Sequence, residues 1–421
     1  MASIPDLRAR ARLLFDAAVE AADPAHAVRL GLASCPPAAP DPGGRRVLIA
    51  VGKAAPAMLG EAMTAFPGAA LSLCVTHHEN VASLPGAEIM RAGHPVPDEA
   101  GADAARRVIS VLEQAEAQDS IVALISGGGS ALLPAPPSGI TLDEKAQLNE
   151  LLLAAGFDIT QMNLVRQQVS RLKGGGFARL AAPARVNAYI LSDVIGDDLR
   201  VIASGPTAQP VGTAWQAIAL LRDAAVWGRI PASIRLHLER TDNEMPAPFP
   251  NVVNSLVGSN RVSLDAMKAA ADRMGWAVRI MDDALTGDVE DAARKITADL
   301  RAAAQPVVLL YGGETTVTLR GTGRGGRNQE LALRVAMAAQ DSGRTWVFLS
   351  GGTDGRDGPT DAAGGIVDPG SLARIAGAGL DAARLLANND SHAALSASGD
   401  LLKTGATGTN VADVQVLLIA P

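Results

Sequence analysis

The chain has 421 residues, 48% hydrophobic and 19% charged, enough for two cores, since single cores usually stop growing near ~250–300 residues. That balance excludes general disorder, and a formal charge of −7 argues against non-specific binding to nucleic acid or an anionic membrane. No apolar stretch approaches the ~20 residues that span a bilayer.

The opening segment, 6–23, mixes Arg8, Arg10 and Arg12 with Asp6, Asp16 and Glu20, and carries Leu7, Leu13, Leu14 and Phe15. Transit peptides are poor in acids and a secretory signal needs an unbroken apolar region, so an amphipathic first helix is expected. Residues 47–51 predict a short buried strand, followed by a helix over 54–65 with Pro56 in its first turn. Strands follow at 71–76 and 88–92, the latter ending in a turn, 93–98, that launches a helix over 100–118. A fourth strand, 121–125, leads into a proline-rich loop at 134–139 and a helix near 142–154. Residues 163–172 read as helical and run into Lys173-Gly174-Gly175-Gly176, and 187–191 read as the next strand. Such alternation implies right-handed crossovers and a mostly parallel sheet.

Pro246, Pro248 and Pro250 among polar residues mark 241–251 as a linker. Beyond it the alternation restarts, with strands at 252–257, 277–281, 307–310, 316–319, 346–349 and 415–419. Helices are expected over 261–274, 289–304 and 330–340, and a glycine-rich loop over 321–326. Two α/β domains follow, 1–245 and 246–421. Cys35 and Cys74 have no spacing for zinc or a redox pair, so both read as plain thiols and the expected location is cytoplasmic.

Three apolar runs stop at glycine pairs or triplets flanked by hydroxyl or acidic residues. They end in Ser126-Gly127-Gly128-Gly129-Ser130, in Gly312-Gly313-Glu314-Thr315, and in Ser350-Gly351-Gly352-Thr353-Asp354. Without a Cβ, backbone N–H groups converge on a ligand, and strand ends are where anions sit in α/β proteins. An anionic, phosphorylated small molecule is the expected ligand. The stretch from Ser126 to Ser130 is neither a Walker A loop nor GxGxxG.

Lys53 ends the first strand, where a compact positive charge suits phosphate or carboxylate. Arg324 and Arg327 stand among glycines before a helix, and Arg327, next to its start, is the stronger candidate for clamping an anion. Asp193, Asp354 and Asp361 follow strands, as the carboxylates of a magnesium–nucleotide site would, whereas Asp357, among glycines and prolines, reads as a turn former or helix cap. An EF-hand at 354–361 is rejected because the glutamate at its twelfth position is missing and Pro359 breaks the loop. The six histidines form no metal set; His94 at a strand end is placed to line a pocket.

Together these motifs resemble the glycerate 2-kinase family, whose C-terminal part is known as the MOFRL domain and whose members often carry the name hydroxypyruvate reductase. The matching pieces are VGKAA (51–55), AGHPVPD (92–98), SGGGSALL (126–133), MNLVRQQVSRLKGGG (162–176), LSDVIGDD (191–198) and SGPT (204–207). In the second half they are GGETTV (312–317), GRGGRNQE (323–330), SGGTDGRDGPTDAAGG (350–365), NNDS (388–391) and TGATGTNVAD (404–413). The resemblance covers nearly the whole chain in order and is weakest over 211–251.

It implies two α/β/α-sandwich domains, an N-terminal Rossmann-like one with a mostly parallel sheet and a smaller C-terminal MOFRL domain, with the active site in the cleft between them. It also implies ATP- and Mg²⁺-dependent phosphorylation of D-glycerate at its 2-hydroxyl. By position, Lys53 and Arg327 correspond to basic residues expected at the family's active site, for the reacting phosphate and the substrate carboxylate, with the split between them open. Ser126, Gly127, Gly128, Gly129 and Ser130, with Gly312, Gly313, Glu314 and Thr315, would cradle phosphates. Asp193 would act in catalysis, and Asp354 and Asp361 would hold magnesium. The partners are the hydroxy acid and the nucleotide, with no nucleic acid or membrane, and a homo-oligomer is left open. A nicotinamide-dependent hydroxypyruvate reductase, the main rival, would need a dinucleotide fingerprint after the first strand, where Gly52-Lys53-Ala54-Ala55-Pro56 stands instead. A non-catalytic sensor would leave the strand-end carboxylates without a purpose.

Overall fold

In the computed structural model, which describes residues 3–242 and 244–420, six strands of the first half form one sheet. They are β1 (Arg46–Val51), β2 (Leu71–His77), β3 (Glu88–Ala92), β4 (Ser120–Ile125), β5 (Arg185–Leu191) and β6 (Val252–Gly258). Asn243, inside the expected linker, lies outside the described residues. The spatial order is β3-β2-β1-β4-β5-β6, with β1 parallel to both β2 and β4, and β4 parallel to β5. β1 and β4 are buried almost end to end, because crossover helices cover both faces of a parallel sheet. From β1 the chain moves outward to β2, and from β4 it moves the opposite way to β5. The two connections diverge and leave a crevice at the carboxyl ends of β1 and β4.

The other six strands are β7 (Val278–Asp288), β8 (Val307–Thr316), β9 (Trp346–Gly352), β10 (Gly364–Val367), β11 (Leu401–Leu402) and β12 (Asp413–Ile419). Their order is β11-β10-β9-β12-β8-β7. This sheet is mixed: β7 and β8 are parallel, but β12 inserts antiparallel between β8 and β9. Each face is apolar, one lined by Val308, Leu310, Leu349 and Val416, the other by Leu309, Phe348, Leu417 and Ile419.

The chain forms two compact units that do not divide at a single point. The parallel-sheet unit comprises Pro24–Ser192 and Asp197–Val257; the mixed-sheet unit takes the residues up to Asp23, Asp193–Gly196 and those from Gly258 onward. The first helix, Ile4–Ala21, accordingly leaves the N-terminal half that a boundary at 245/246 would give it. Its buried residues Leu7, Ala11, Leu14, Phe15 and Ala18 recur at helical spacing and share one core with Leu264, Leu349 and Val416. A capping box holds its start: Ser3 Oγ accepts from the Asp6 N–H, and the Asp6 carboxylate accepts from the Ser3 N–H. The amphipathic stripe is visible in the sequence, but which sheet it covers is not. Among the described residues, no helix is long and apolar enough to cross a membrane.

Candidate active site

The crevice of the parallel-sheet unit is built by two turns that interlock. Lys53 N–H donates to the Gly127 carbonyl at 2.9 Å, and Ala54 N–H to Ser126 Oγ at 3.2 Å. Gly52 has φ +129, and a Cβ there would stand 2.1 Å from Ser126 Oγ, so no other residue fits. Gly128 has φ +87, and its missing Cβ would touch Lys53 Cγ at 3.1 Å and His94 Cδ2 at 3.2 Å. Lys53, His94 and the glycine turn are therefore neighbours. Burial, and then the Lys53 charge, push the His94 imidazole below its usual value, leaving it neutral at neutral pH.

One turn further on, Ser130 gathers a second set of groups that sequence reasoning did not place in a site. Its Oγ accepts from Arg166 Nη2 at 2.8 Å and from Lys173 Nζ at 2.7 Å, and Lys173 also donates to the Ser130 carbonyl at 2.7 Å. Ser204 Oγ gives its proton to Asn163 Oδ1 at 2.7 Å, so the 2.8 Å contact between the two serines is one that Ser130 donates. Ala203 and Ser204 hold φ of +49 and +61, conformations costing ~1–3 kcal/mol each for residues with a Cβ. Lys145, on the helix Leu142–Ala154, lies behind this set with Nζ on the Val169 carbonyl at 2.8 Å. Burial lowers all three cations: Arg166 below its usual range, Lys145 to about 7, and Lys173 well below its usual range, with the neighbouring cations adding to the effect on both lysines. Among the described residues no carboxylate offsets these charges. The triple glycine after Lys173 is closely packed and opens a helix: a Cβ on Gly175, at φ +77, would come 2.3 Å from the Phe249 ring, and the helix Gly176–Ala181 follows.

In the mixed-sheet unit the expected glycine turns are not turns. β8 continues through Gly312 and Gly313 to Thr316, and β9 through Gly351 and Gly352. Both glycine pairs lie opposite β12, in the registers Gly313↔Asp413 and Gly352↔Asp413. The glycines are there for packing. A Cβ on Gly312 would come 1.9 Å from Asn260 Oδ1, and one on Gly351 would come 2.7 Å from the Phe15 ring. Gly312 and Gly313 thus lie within paired strand and not at the turn expected of them. The separate short strand expected at 316–319 is absent; 317–320 is irregular.

Glu314 and Thr315, by contrast, line a groove of about 750 Å³, together with Val317, Leu319, Arg327 and Asp357. Arg327 opens the helix Arg327–Ala338 and is held by two carboxylates. It grips Asp413 with Nε at 2.6 Å and Nη2 at 3.0 Å, and meets Glu314 through Nη1 at 2.7 Å. Burial opposes its charge, but the bond and charge of Asp413 outweigh that and raise the guanidinium above its usual range. Asp413, whose side chain is 0% exposed, was not singled out in the sequence; its only signal is its place closing the last matching motif. Asp357 acts as the cap expected of it, accepting from the Asn328 and Gln329 N–H groups at 3.1 and 2.9 Å. The glycine loop 321–326 is docked by Asn388 and Asn389. Asn389 Oδ1 accepts from the Arg320 and Gly321 N–H groups at 2.7 and 3.0 Å, and the Asn388 carbonyl accepts from Gly323 N–H at 2.9 Å.

Of the expected aspartates, Asp193 stands in the Asp193–Gly196 segment of the mixed-sheet unit. Asp354 uses Oδ1 on the Arg356 N–H at 2.9 Å. Asp361 is exposed and tied to Lys403 at 2.8 Å and His392 at 3.1 Å; bonds from these two hold its carboxyl at about 2. Among the described residues no three His, Cys, Asp or Glu side chains form a metal cluster. Magnesium carried by a nucleotide needs only one or two carboxylates, the rest being phosphate and water. Asp354 fits that demand, whereas Glu314 would first have to release Arg327, and Asp361 Lys403.

Residues 10–239 match the family model described as Domain of unknown function (DUF4147), and residues 307–413 match that of the MOFRL family. A D-glycerate 2-kinase of Thermotoga maritima is 41% identical over 340 residues, covering 79% of this chain and 80% of the relative. A protein of Agrobacterium vitis named as a hydroxypyruvate reductase is 40% identical over 418 residues, covering 97% and 93%. The crystal structure of a glycerate kinase from Thermotoga maritima superposes with a TM-score of 0.92 at 37% identity, covering 99% of this chain and 100% of that one.

Proposed function

We infer that this chain, which belongs to the MOFRL glycerate-kinase family, is an ATP-dependent glycerate 2-kinase: it moves the γ-phosphoryl group of ATP to the 2-hydroxyl of D-glycerate, releasing ADP. The observation that carries the reading is the end-to-end likeness to a glycerate kinase, with a lysine and a glycine turn at the crevice where that fold takes ligands.

Phosphoryl transfer asks a protein for positioning and charge neutralisation more than for covalent chemistry. In this proposal Lys53 and the amides around Gly127, Gly128 and Gly129 meet the transferring phosphoryl group, and neutral His94 borders it. The nucleotide takes the groove beside Glu314, Thr315 and Arg327. There Arg327, already neutralised by Asp413 and Glu314, serves mainly to hold those carboxylates in place. Asp193 orients the acceptor hydroxyl. Magnesium, when bound with the nucleotide, neutralises phosphate charge; Asp354 is the residue we assign to hold it. A cytoplasmic setting, with Cys35 and Cys74 as thiols, belongs to the same proposal.

The test is ADP release from ATP and D-glycerate, with the product identified by phosphorus NMR. The expected product is 2-phosphoglycerate, with turnover abolished by a magnesium chelator. Consumption of NADH with hydroxypyruvate, in the absence of ADP release, would establish the reductase instead.

A further inference from the structure

We infer that Arg166, backed by Lys173, is the anchor for the carboxylate of the hydroxy acid. The inference rests on the kinase reading and narrows it, since it decides which unit holds the acceptor and by which end.

Charge is sorted unevenly over the molecule. Arg327 is accompanied by Asp413 and Glu314, so that trio carries a net negative charge and is poorly disposed to a substrate carboxylate. Arg166, Lys173 and Lys145 have no carboxylate among the described residues, and only like charges act on the two lysines from nearby. Cations withdrawn from water without a counterion are held at a cost, and perturbed groups beside the glycine turn, as Arg166 and Lys173 are through Ser130, are candidates for ligand contact. A bound anion would offset the Arg166 charge and favour the protonated form of both lysines.

The anion that fits is small. Lys173 is 3% exposed and Lys145 9%, too deep for a triphosphate that keeps a hydrated magnesium and needs carboxylates around it. Arg166 spends one N–H on Ser130, which leaves most of a planar five-donor fork for a carboxylate. Ser130 holds that fork in place. Its hydroxyl is fixed on the far side by Ser204, which Asn163 anchors in turn. Gly129 directly precedes Ser130, so a carboxylate on Arg166 would leave the rest of a three-carbon acid near the glycine turn and Lys53.

The experiment uses the full chain and compares wild type with Arg166→Gln and Arg166→Lys. Steady-state kinetics are measured for D-glycerate and for ATP, with glycerol as an acceptor that lacks the carboxylate. Arg166→Gln is expected to raise KM for D-glycerate about 10²-fold, as for loss of a charge-assisted bidentate pair, while KM for ATP changes less than about 3-fold. The preference for D-glycerate over glycerol should shrink by the same factor. Arg166→Lys should recover part of the loss, keeping the charge but not the fork. A rise in KM for ATP instead, or a fall in kcat with both KM values unchanged, would overturn the assignment. Should Arg166→Gln fail to fold, lactate inhibition of wild type decides: competition against D-glycerate is expected, and competition against ATP overturns. If wild type releases no ADP, the kinase reading has failed separately, and calorimetric binding of D-glycerate takes its place. Equal binding by wild type and Arg166→Lys would then sink the anchor.

Discussion

After β4 the chain bends at Gly127 and Gly128, whereas β8 and β9 run on through Gly312-Gly313 and Gly351-Gly352. In the sequence the three stretches look alike. What separates them is the neighbouring strand. β4 lies between parallel strands whose chain must depart into crossovers at the carboxyl end, so the ladder stops there and a turn begins. β8 and β9 flank an antiparallel partner, β12, which extends their pairing past the glycines. The same residue type thus opens the backbone to a ligand in one unit and admits Asn260 and Phe15 side chains in the other. Charge follows the same division. Among the described residues no carboxylate acts on Arg166, Lys173 or Lys145, whereas the mixed-sheet groove pairs its arginine with two acids.

The sharpest way to break that comparison is to delete one cation from each side. Arg327→Ala leaves Asp413 charged and buried without its partner, which should lower stability by about 3–5 kcal/mol in urea unfolding. Adding Asp413→Asn should restore most of that loss. Turnover should fall at least ~10²-fold in the single variant, because the groove carboxylates lose their positioning residue. Lys53→Ala removes an exposed side chain, so turnover should again fall at least ~10²-fold with no change in thermal midpoint. If Lys53→Ala lost stability and Arg327→Ala did not, the division into structural and substrate-facing cations would be reversed.

Much of the fold is legible in the residues. Apolar runs locate β1, β4, β8, β9 and β12, and the stripe of Leu7, Leu14 and Phe15 announces the first helix. Pairing direction is not legible, because a strand buried on both faces reads the same in a parallel and an antiparallel ladder. That is why Gly312 and Gly313 looked like a turn. Lys53 and the residues from Ser126 to Ser130 stood out because local sequence places them together. Arg166, Lys173 and Ser204 did not. They meet at Ser130 only through tertiary packing, and Lys173 was hidden by a glycine run with an ordinary capping explanation. Asp413 carried no local signal either; it matters because β12 carries it beside Arg327.

A smaller effect sharpens the contrast through pH. The Lys145 ammonium is lowered by burial, then by Arg166, to about 7 from an ordinary 10.5. Between those values the unfolded chain holds a proton that the folded chain has released, so stability rises with pH across that window. The slope is at most ~1.4 kcal/mol per pH unit for one proton, and below pH 7 the destabilisation is complete. Lys145→Met lacks the proton in both states. Wild type should therefore gain stability relative to this variant as pH is raised from 7 to 10. Urea midpoints that run parallel over that range would mean that the amine stays charged in the fold.

The smallest effect probes the groove. Leu319 is 80% exposed, an unusual setting for a leucine beside charged residues, and it lines the space assigned to the nucleotide. Covering part of such a side chain with a purine would contribute on the order of 1 kcal/mol. Leu319→Ala should raise KM for ATP about 3–10-fold and leave KM for D-glycerate unchanged. Stability should move by less than about 0.5 kcal/mol, because the side chain packs on little in the free protein. Should KM for D-glycerate rise in place of that for ATP, the hydroxy acid would belong in the groove and the cations of the parallel-sheet crevice would have to take the nucleotide.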